Sequence, residues 1–144
     1  MGDPTSPIAV LLIHGFGANT NHWRFNQPVL AEIAPTYAID LLGFGRSDQP
    51  RARLKQEPPD PSAVHYGFDL WGQQVADFCR EVIDKPVVLI GNSIGGVVAL
   101  RAAQLLEPDQ CKRVVLIDCA QRLMDDKQLA TQPAWMGWIR PLLK

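Results

Sequence analysis

The stretch Pro86-Val87-Val88-Leu89-Ile90-Gly91-Asn92-Ser93-Ile94-Gly95-Gly96-Val97-Val98-Ala99-Leu100 decides how the rest of the chain is read. Its first part is an unbroken apolar run with β-branched residues, the pattern of a strand buried on both faces. The small residues that follow, and then Val97 to Leu106, predict a sharp turn into a helix. Ser93 stands at the bend. Gly91-Asn92-Ser93-Ile94-Gly95 fits the pattern G-x-S-x-G, in which glycines two before and two after leave room for a strained serine between a strand and the helix packed on it. A serine held there presents its hydroxyl at a helix N-terminus, where the Ile94 N–H and the helix dipole can meet negative charge developing on a carbonyl oxygen.

Working outward, Ile8-Ala9-Val10-Leu11-Leu12-Ile13 is a second buried strand, ending in the glycine-rich His14-Gly15-Phe16-Gly17. Asn19 or Thr20 is placed to cap a helix over about His22 to Ile33, with Trp23, Val29, Leu30 and Ile33 as its apolar contacts and Pro28 as its weak point. Thr36 to Asp40 reads as a short strand. Between Gln49 and Tyr66, Pro50, Pro58, Pro59 and Pro61 interrupt mixed charges without a period, so a long surface loop is expected. A helix over about Phe68 to Ile83 follows, with Leu70, Trp71, Val75, Phe78 and Val82 at helical spacing, and Arg113 to Asp118 is a fourth buried strand. Met124 to Lys144 is Trp-rich and reads as mostly helical, broken at Pro133 and Pro141. Strands alternating with helices predict an α/β fold, a parallel sheet covered on both faces in a three-layer sandwich. Ligands of such sheets lie beyond the carboxyl ends of the strands, and there His14-Gly15-Phe16, Asp40, Ser93 and Asp118 converge.

The bulk properties narrow the partners. The 144 residues amount to one domain. Lys and Arg number 14 against 15 Asp and Glu, interspersed, so there is no footprint for nucleic acid, and a small or uncharged substrate fits better. No apolar run is long enough to span a bilayer and no signal pattern opens the chain, which leads us to expect a cytoplasmic protein without stable membrane insertion. The three cysteines, Cys79, Cys111 and Cys119, lack metal-like or redox spacing and read as reduced thiols, with Cys79 and Cys119 in packing roles.

Three pieces in this order, Leu11-Leu12-Ile13-His14-Gly15-Phe16-Gly17, Asp40-Leu41-Leu42-Gly43-Phe44-Gly45-Arg46-Ser47-Asp48 and Gly91-Asn92-Ser93-Ile94-Gly95-Gly96, resemble the α/β-hydrolase superfamily over about residues 8 to 120. The wording of Ala38 to Gly45 and of the elbow resembles the pheophytinase-like hydrolases of plants and cyanobacteria; similar elbows occur in carbon–carbon bond hydrolases. The resemblance implies a serine hydrolase of carboxylic esters or related acyl compounds, acting on a small apolar ester-like substrate without metal or organic cofactor. It implies Ser93 as nucleophile and the N–H groups of Phe16 and Ile94 as the oxyanion hole. Serine at position 93, where dehalogenases and epoxide hydrolases of this fold carry aspartate, argues against those chemistries. The family counterpart of His14 shapes its loop.

The departures are as informative. The family places an acid and then a histidine after the elbow, yet the three histidines, His14, His22 and His65, all precede Ser93. Asp118 either orients a base, as in some relatives, or forms the turn after its strand. Asp40 reads as a loop-organising acceptor and His65 as a solvated residue. Two strands before Ile8 and further strands after Ile117 in the family have no counterpart here, so we expect a partial core over 1–122 and the start of a lid or cap over 123–144, truncated after the sixth family strand. Val114 to Ile117 would then form an exposed apolar edge open to self-association or to a partner completing the sheet. Trp135 and Trp138 either line a substrate pocket, pack on the sheet or project from it. The rival reading is a catalytically silent binding domain.

Overall fold

The computed structural model describes residues 2–54 and 57–119. The expected lid segment over 123–144, with Trp135 and Trp138, lies outside the described residues.

Four strands, β1 (Ala9–Ile13), β2 (Thr36–Ile39), β5 (Val87–Asn92) and β6 (Cys111–Ile117), form one parallel sheet in the order β2-β1-β5-β6. The apolar run of β1 is buried from end to end because it is flanked by β2 and β5 and covered on both faces. Helices α2 (Phe68–Phe78) and α3 (Ile94–Leu105) pack on one face, where Leu11, Ile13, Leu89, Trp71, Val75, Val98 and Ala99 share a core. On the other face a single 3-10 turn (Thr20–Trp23) and α1 (Asn26–Ala31) bring Trp23, Leu30 and Ala34 onto Val10, Leu12, Ala38 and Ile90. This is the expected three-layer α/β arrangement, a partial core of four parallel strands.

Several expectations are corrected. The helix expected over 22–33 is split: Asn19 caps the 3-10 turn, accepting the Asn21 N–H at 2.9 Å, and α1 starts only at Asn26, with Pro28 in its first turn where a missing N–H costs nothing. The break changes the register, so Val29 and Ile33 point outward, 62% and 70% exposed. The helix after Phe68 loosens into a π-type turn over Cys79–Ile83, closed by Asp84 in the left-handed region, and Val82 faces solvent for the same reason. The loop after Gln49 is not featureless. Arg51–Ala52 (β3) and Ala63–Val64 (β4) pair in a small parallel ribbon, and Arg51 bridges Glu57 and Asp60, both at 2.9 Å. Finally β6 starts earlier than expected, at Cys111, with an irregularity opposite Val87/Val88, and it is not buried on both faces: Val115, Leu116 and Ile117 are about two-fifths exposed. Among the described residues it is the edge that the strand order requires.

Candidate active site

Ser93 sits between β5 and α3 with φ +54° and ψ −119°, in the region that favours glycine. Its N–H donates to the Ile117 carbonyl at 2.9 Å and its carbonyl accepts the Gly96 N–H at 3.1 Å, so the bend is clamped from both sides. The flanking glycines are close-approach positions. A Cβ at Gly91 would lie 2.1 Å from the Gly95 carbonyl oxygen, and one at Gly95 would lie 2.4 Å from the Ile13 oxygen. Only hydrogen fits at either place, and this contact is what lets the strand turn so sharply into α3. The hydroxyl makes no capping bond to the helix.

The loop after β1 is brought against this elbow. A Cβ at Gly15 would meet that of Ser93 at 3.2 Å. Phe16 follows, half exposed, and its N–H has no acceptor among the described residues. Ile94, first residue of α3, has no intrahelical acceptor for its N–H either. The sheet therefore brings the three expected site residues, Ser93, Phe16 and Ile94, to one rim.

His14 is fully buried, and both ring nitrogens are engaged: Nδ1 lies 2.7 Å from the Gly15 carbonyl and Nε2 accepts the Leu41 N–H at 3.0 Å. The carbonyl assigns the proton to Nδ1 and the Leu41 bond assigns the lone pair to Nε2. Burial pushes its pKa below the usual histidine value, against the smaller opposing pull of the Gly15 carbonyl and Asp40. A neutral ring with no free nitrogen organises its loop and cannot take a proton from Ser93. His22 and His65 are exposed, His22 edge-on to Trp23. Asp118 is exposed with φ +45°, a turn conformation that aspartate tolerates, so the turn reading fits its backbone.

Asp40 gathers the neighbouring loops. Its carboxylate accepts the Thr20 N–H at 2.6 Å and the Arg46 N–H at 2.9 Å, while its carbonyl accepts the Ser47 hydroxyl at 2.5 Å and the Gln74 amide at 3.2 Å. Burial alone would raise its pKa, but the donated N–H groups outweigh that and hold the carboxyl below its usual range. Gln74 also accepts the Leu42 N–H at 2.9 Å. Nothing in the sequence singled out Gln74, Tyr66 or Trp71 for the site. The two rings, with Phe16 and Phe44, wall a pocket of about 340 Å³ beside the loop after β1. Among the described residues no group of three or more His, Cys, Asp or Glu is placed to hold a metal, and no helix is long and apolar enough to cross a membrane. The three cysteines are free, and burial pushes the Cys79 thiol up to about 12, which leaves it a packing group.

The comparisons agree with this geometry. The chain superposes on a probable hydrolytic enzyme from Pseudomonas aeruginosa PAO1 with a TM-score of 0.71, over 92% of this chain and 38% of that one, at 24% identity, a likeness of fold alone. A bacterial membrane phospholipase A shares 34% identity at a TM-score of 0.63, over 82% of this chain and 34% of that one. The 1-acylglycerol-3-phosphate O-acyltransferase ABHD5 of Sus scrofa is 33% identical over 114 residues, 79% of this chain and 30% of its own length. The (lyso)-N-acylphosphatidylethanolamine lipase of Bos taurus is 29% identical over 142 residues, 93% of this chain and 37% of its own. The chain thus spans about a third of the length of these curated relatives. A family model for the alpha/beta hydrolase fold matches residues 8–140, and with the elbow, the loop after β1 and the strand order in agreement, the chain belongs to the α/β-hydrolase fold family.

Proposed function

We propose that this chain carries the nucleophile and oxyanion hole of a serine hydrolase for hydrophobic carboxylic esters. The observation that carries the reading is Ser93 at φ +54°, a costly conformation for a residue other than glycine, with a hydroxyl that makes no capping bond to α3. Ser93 Oγ attacks the ester carbonyl carbon as a base takes its proton. The carbonyl oxygen becomes an oxyanion held by the N–H groups of Phe16 and Ile94, and collapse expels the alcohol with that proton. Water then releases the acid from the acyl-serine by the same steps. Each oxyanion donor supports about 3 kcal/mol of transition-state stabilisation.

His14 is engaged at both nitrogens, and no histidine follows Ser93 in these residues. In this reading the base is the histidine that the family pattern places after the elbow and its acid, a place that none of His14, His22 and His65 fills. The relatives' names concern acyl lipids and the loop wording resembles the pheophytinase-like hydrolases; both favour an ester with a large apolar part. Three free thiols favour a reducing, cytoplasmic setting.

The test is labelling by a fluorophosphonate probe, for the chain and its Ser93→Ala variant, with and without added imidazole as a surrogate base. Ser93-dependent labelling accelerated by imidazole is expected. Labelling equal in both proteins, or absent even with imidazole, overturns the reading in favour of a silent binding domain.

A further inference from the structure

The pocket beside the loop after β1 has an unusual lining. Phe16, Phe44, Tyr66 and Trp71 line it together with Gly43, Gln49, Pro50 and Ala52. The polar tips of its aromatic walls are already used: the Tyr66 hydroxyl donates to the Pro50 carbonyl at 2.7 Å, and the Trp71 Nε1–H donates to the Leu42 carbonyl at 2.9 Å. What remains for an occupant is mostly ring surface, with the exposed Gln49 as the further polar side chain of the lining. Phe16 and Trp71 are both in contact range of Phe44, at centroid distances of 5.5 and 5.8 Å, so the rings form one continuous wall. Gly43 keeps that wall closed, since a Cβ there would stand 2.7 Å from Tyr66 Cε1. Ala52 belongs to β3, which is pinned by its pairing with β4, by the Arg53 N–H donating to Val64 at 2.8 Å, and by the two ion pairs of Arg51. The paired ribbon therefore presents a short side chain at a defined place on the pocket rim.

Phe16 joins this pocket to the elbow, because its main chain follows Gly15, which abuts Ser93, while its ring lines the pocket. We infer that the pocket takes the hydrocarbon part of the ester and that Ala52, exposed on its lining, sets how long a chain it accepts. The assignment rests on the ester-hydrolase reading for the identity of the ligand, but its binding step needs no chemistry at Ser93. A volume of about 340 Å³ lies at the small end of the range for ligand pockets, enough for a chain of medium length.

The experiment is a titration of the ¹⁵N-labelled chain with two ketones that serve as unreactive probes, 2-octanone and 2-butanone, followed by amide shifts. The longer ketone is expected to perturb Gly43, Phe44 and Ala52 and to bind at least tenfold more tightly, since each methylene removed from water is worth roughly fourfold in affinity. Ala52→Trp fills the rim from an exposed position and is expected to weaken 2-octanone at least tenfold, with Ala52→Leu intermediate. The amide spectrum of each variant away from the pocket reports its folding. Equal affinity for both ketones, shifts elsewhere on the molecule, or 2-octanone binding indifferent to a folded Ala52→Leu or Ala52→Trp variant overturns the assignment. Ser93 labelling reads the hydrolase proposal separately, so failure of one is distinguishable from failure of the other.

Discussion

His14 Nε2 accepts the Leu41 N–H at 3.0 Å, and this one bond ties the loop after β1 to the chain leaving β2 inside the protein. Replacing the ring with a methyl group in His14→Ala strands the Leu41 N–H and the Gly15 carbonyl and opens a cavity. We expect a loss of about 3 kcal/mol in urea unfolding, more than a surface histidine such as His65 would cost.

The same ring gives a pH signature. Burial lowers its folded pKa below the unfolded 6.5, so below that value the unfolded chain binds the extra proton first and stability falls as pH drops, until the folded ring is protonated too. The stability gap between wild type and His14→Ala should therefore be smaller near about pH 5.5 than near about pH 7.5. A gap that is equal at both would show that the ring is not held neutral.

Asp40 acts in a lower window. Its folded pKa is depressed, so its contribution is present above 3.8 and is lost as pH falls through the folded value. Asp40→Asn exchanges a charged acceptor for a neutral one at the Thr20 and Arg46 N–H groups, and the expected cost is about 2 kcal/mol at neutral pH. The variant's deficit should vanish in acid, as denaturant melts at stepwise lower pH would register.

Gly91→Ala places a carbon 2.1 Å from the Gly95 oxygen, a backbone atom that cannot swing aside. A destabilisation of about 3 kcal/mol is expected, a fall in Tm of roughly 10 °C. Gly17→Ala is the control: with nothing within 4 Å of the new carbon, only the left-handed φ of +69° opposes it, at about 1 kcal/mol.

Strain at the proposed nucleophile predicts the opposite sign. Ser93→Gly should raise stability by about 1 kcal/mol while abolishing fluorophosphonate labelling. A thermal melt showing Ser93→Gly below wild type would mean that the elbow does not strain its serine.

Much of the core was legible because a buried parallel strand needs a continuous apolar run, and Ala9 to Ile13 and Val87 to Ile90 supply short ones, rich in β-branched and aliphatic residues. The elbow was legible for a related reason: Gly91 abuts the backbone of Gly95 and Gly96, a contact within a few residues, whereas the partner that makes Gly95 necessary, the Ile13–His14 backbone, lies far away in sequence. Helical periodicity was a poorer guide to Val29, Ile33 and Val82, since the 3-10 break and the π-type turn rotate the register that periodicity assumes to be constant.

By itself, then, the amino-acid order determined the four strands of the main sheet and the bend that carries Ser93, which show as apolar runs and glycine spacings within short stretches, and the alternation of strands with helices implied the parallel connection. Only the tertiary structure decided that His14 is held at both nitrogens, that Asp40 joins Thr20 to Arg46, that Gln74 reaches Leu42 across 32 residues, and that Tyr66 and Trp71 wall a pocket with Phe16. Those contacts depend on where whole loops come to rest on the sheet. Hydrogen bonds and ring contacts are short-ranged in space, and a periodic pattern along the chain carries no record of partners that distant in sequence.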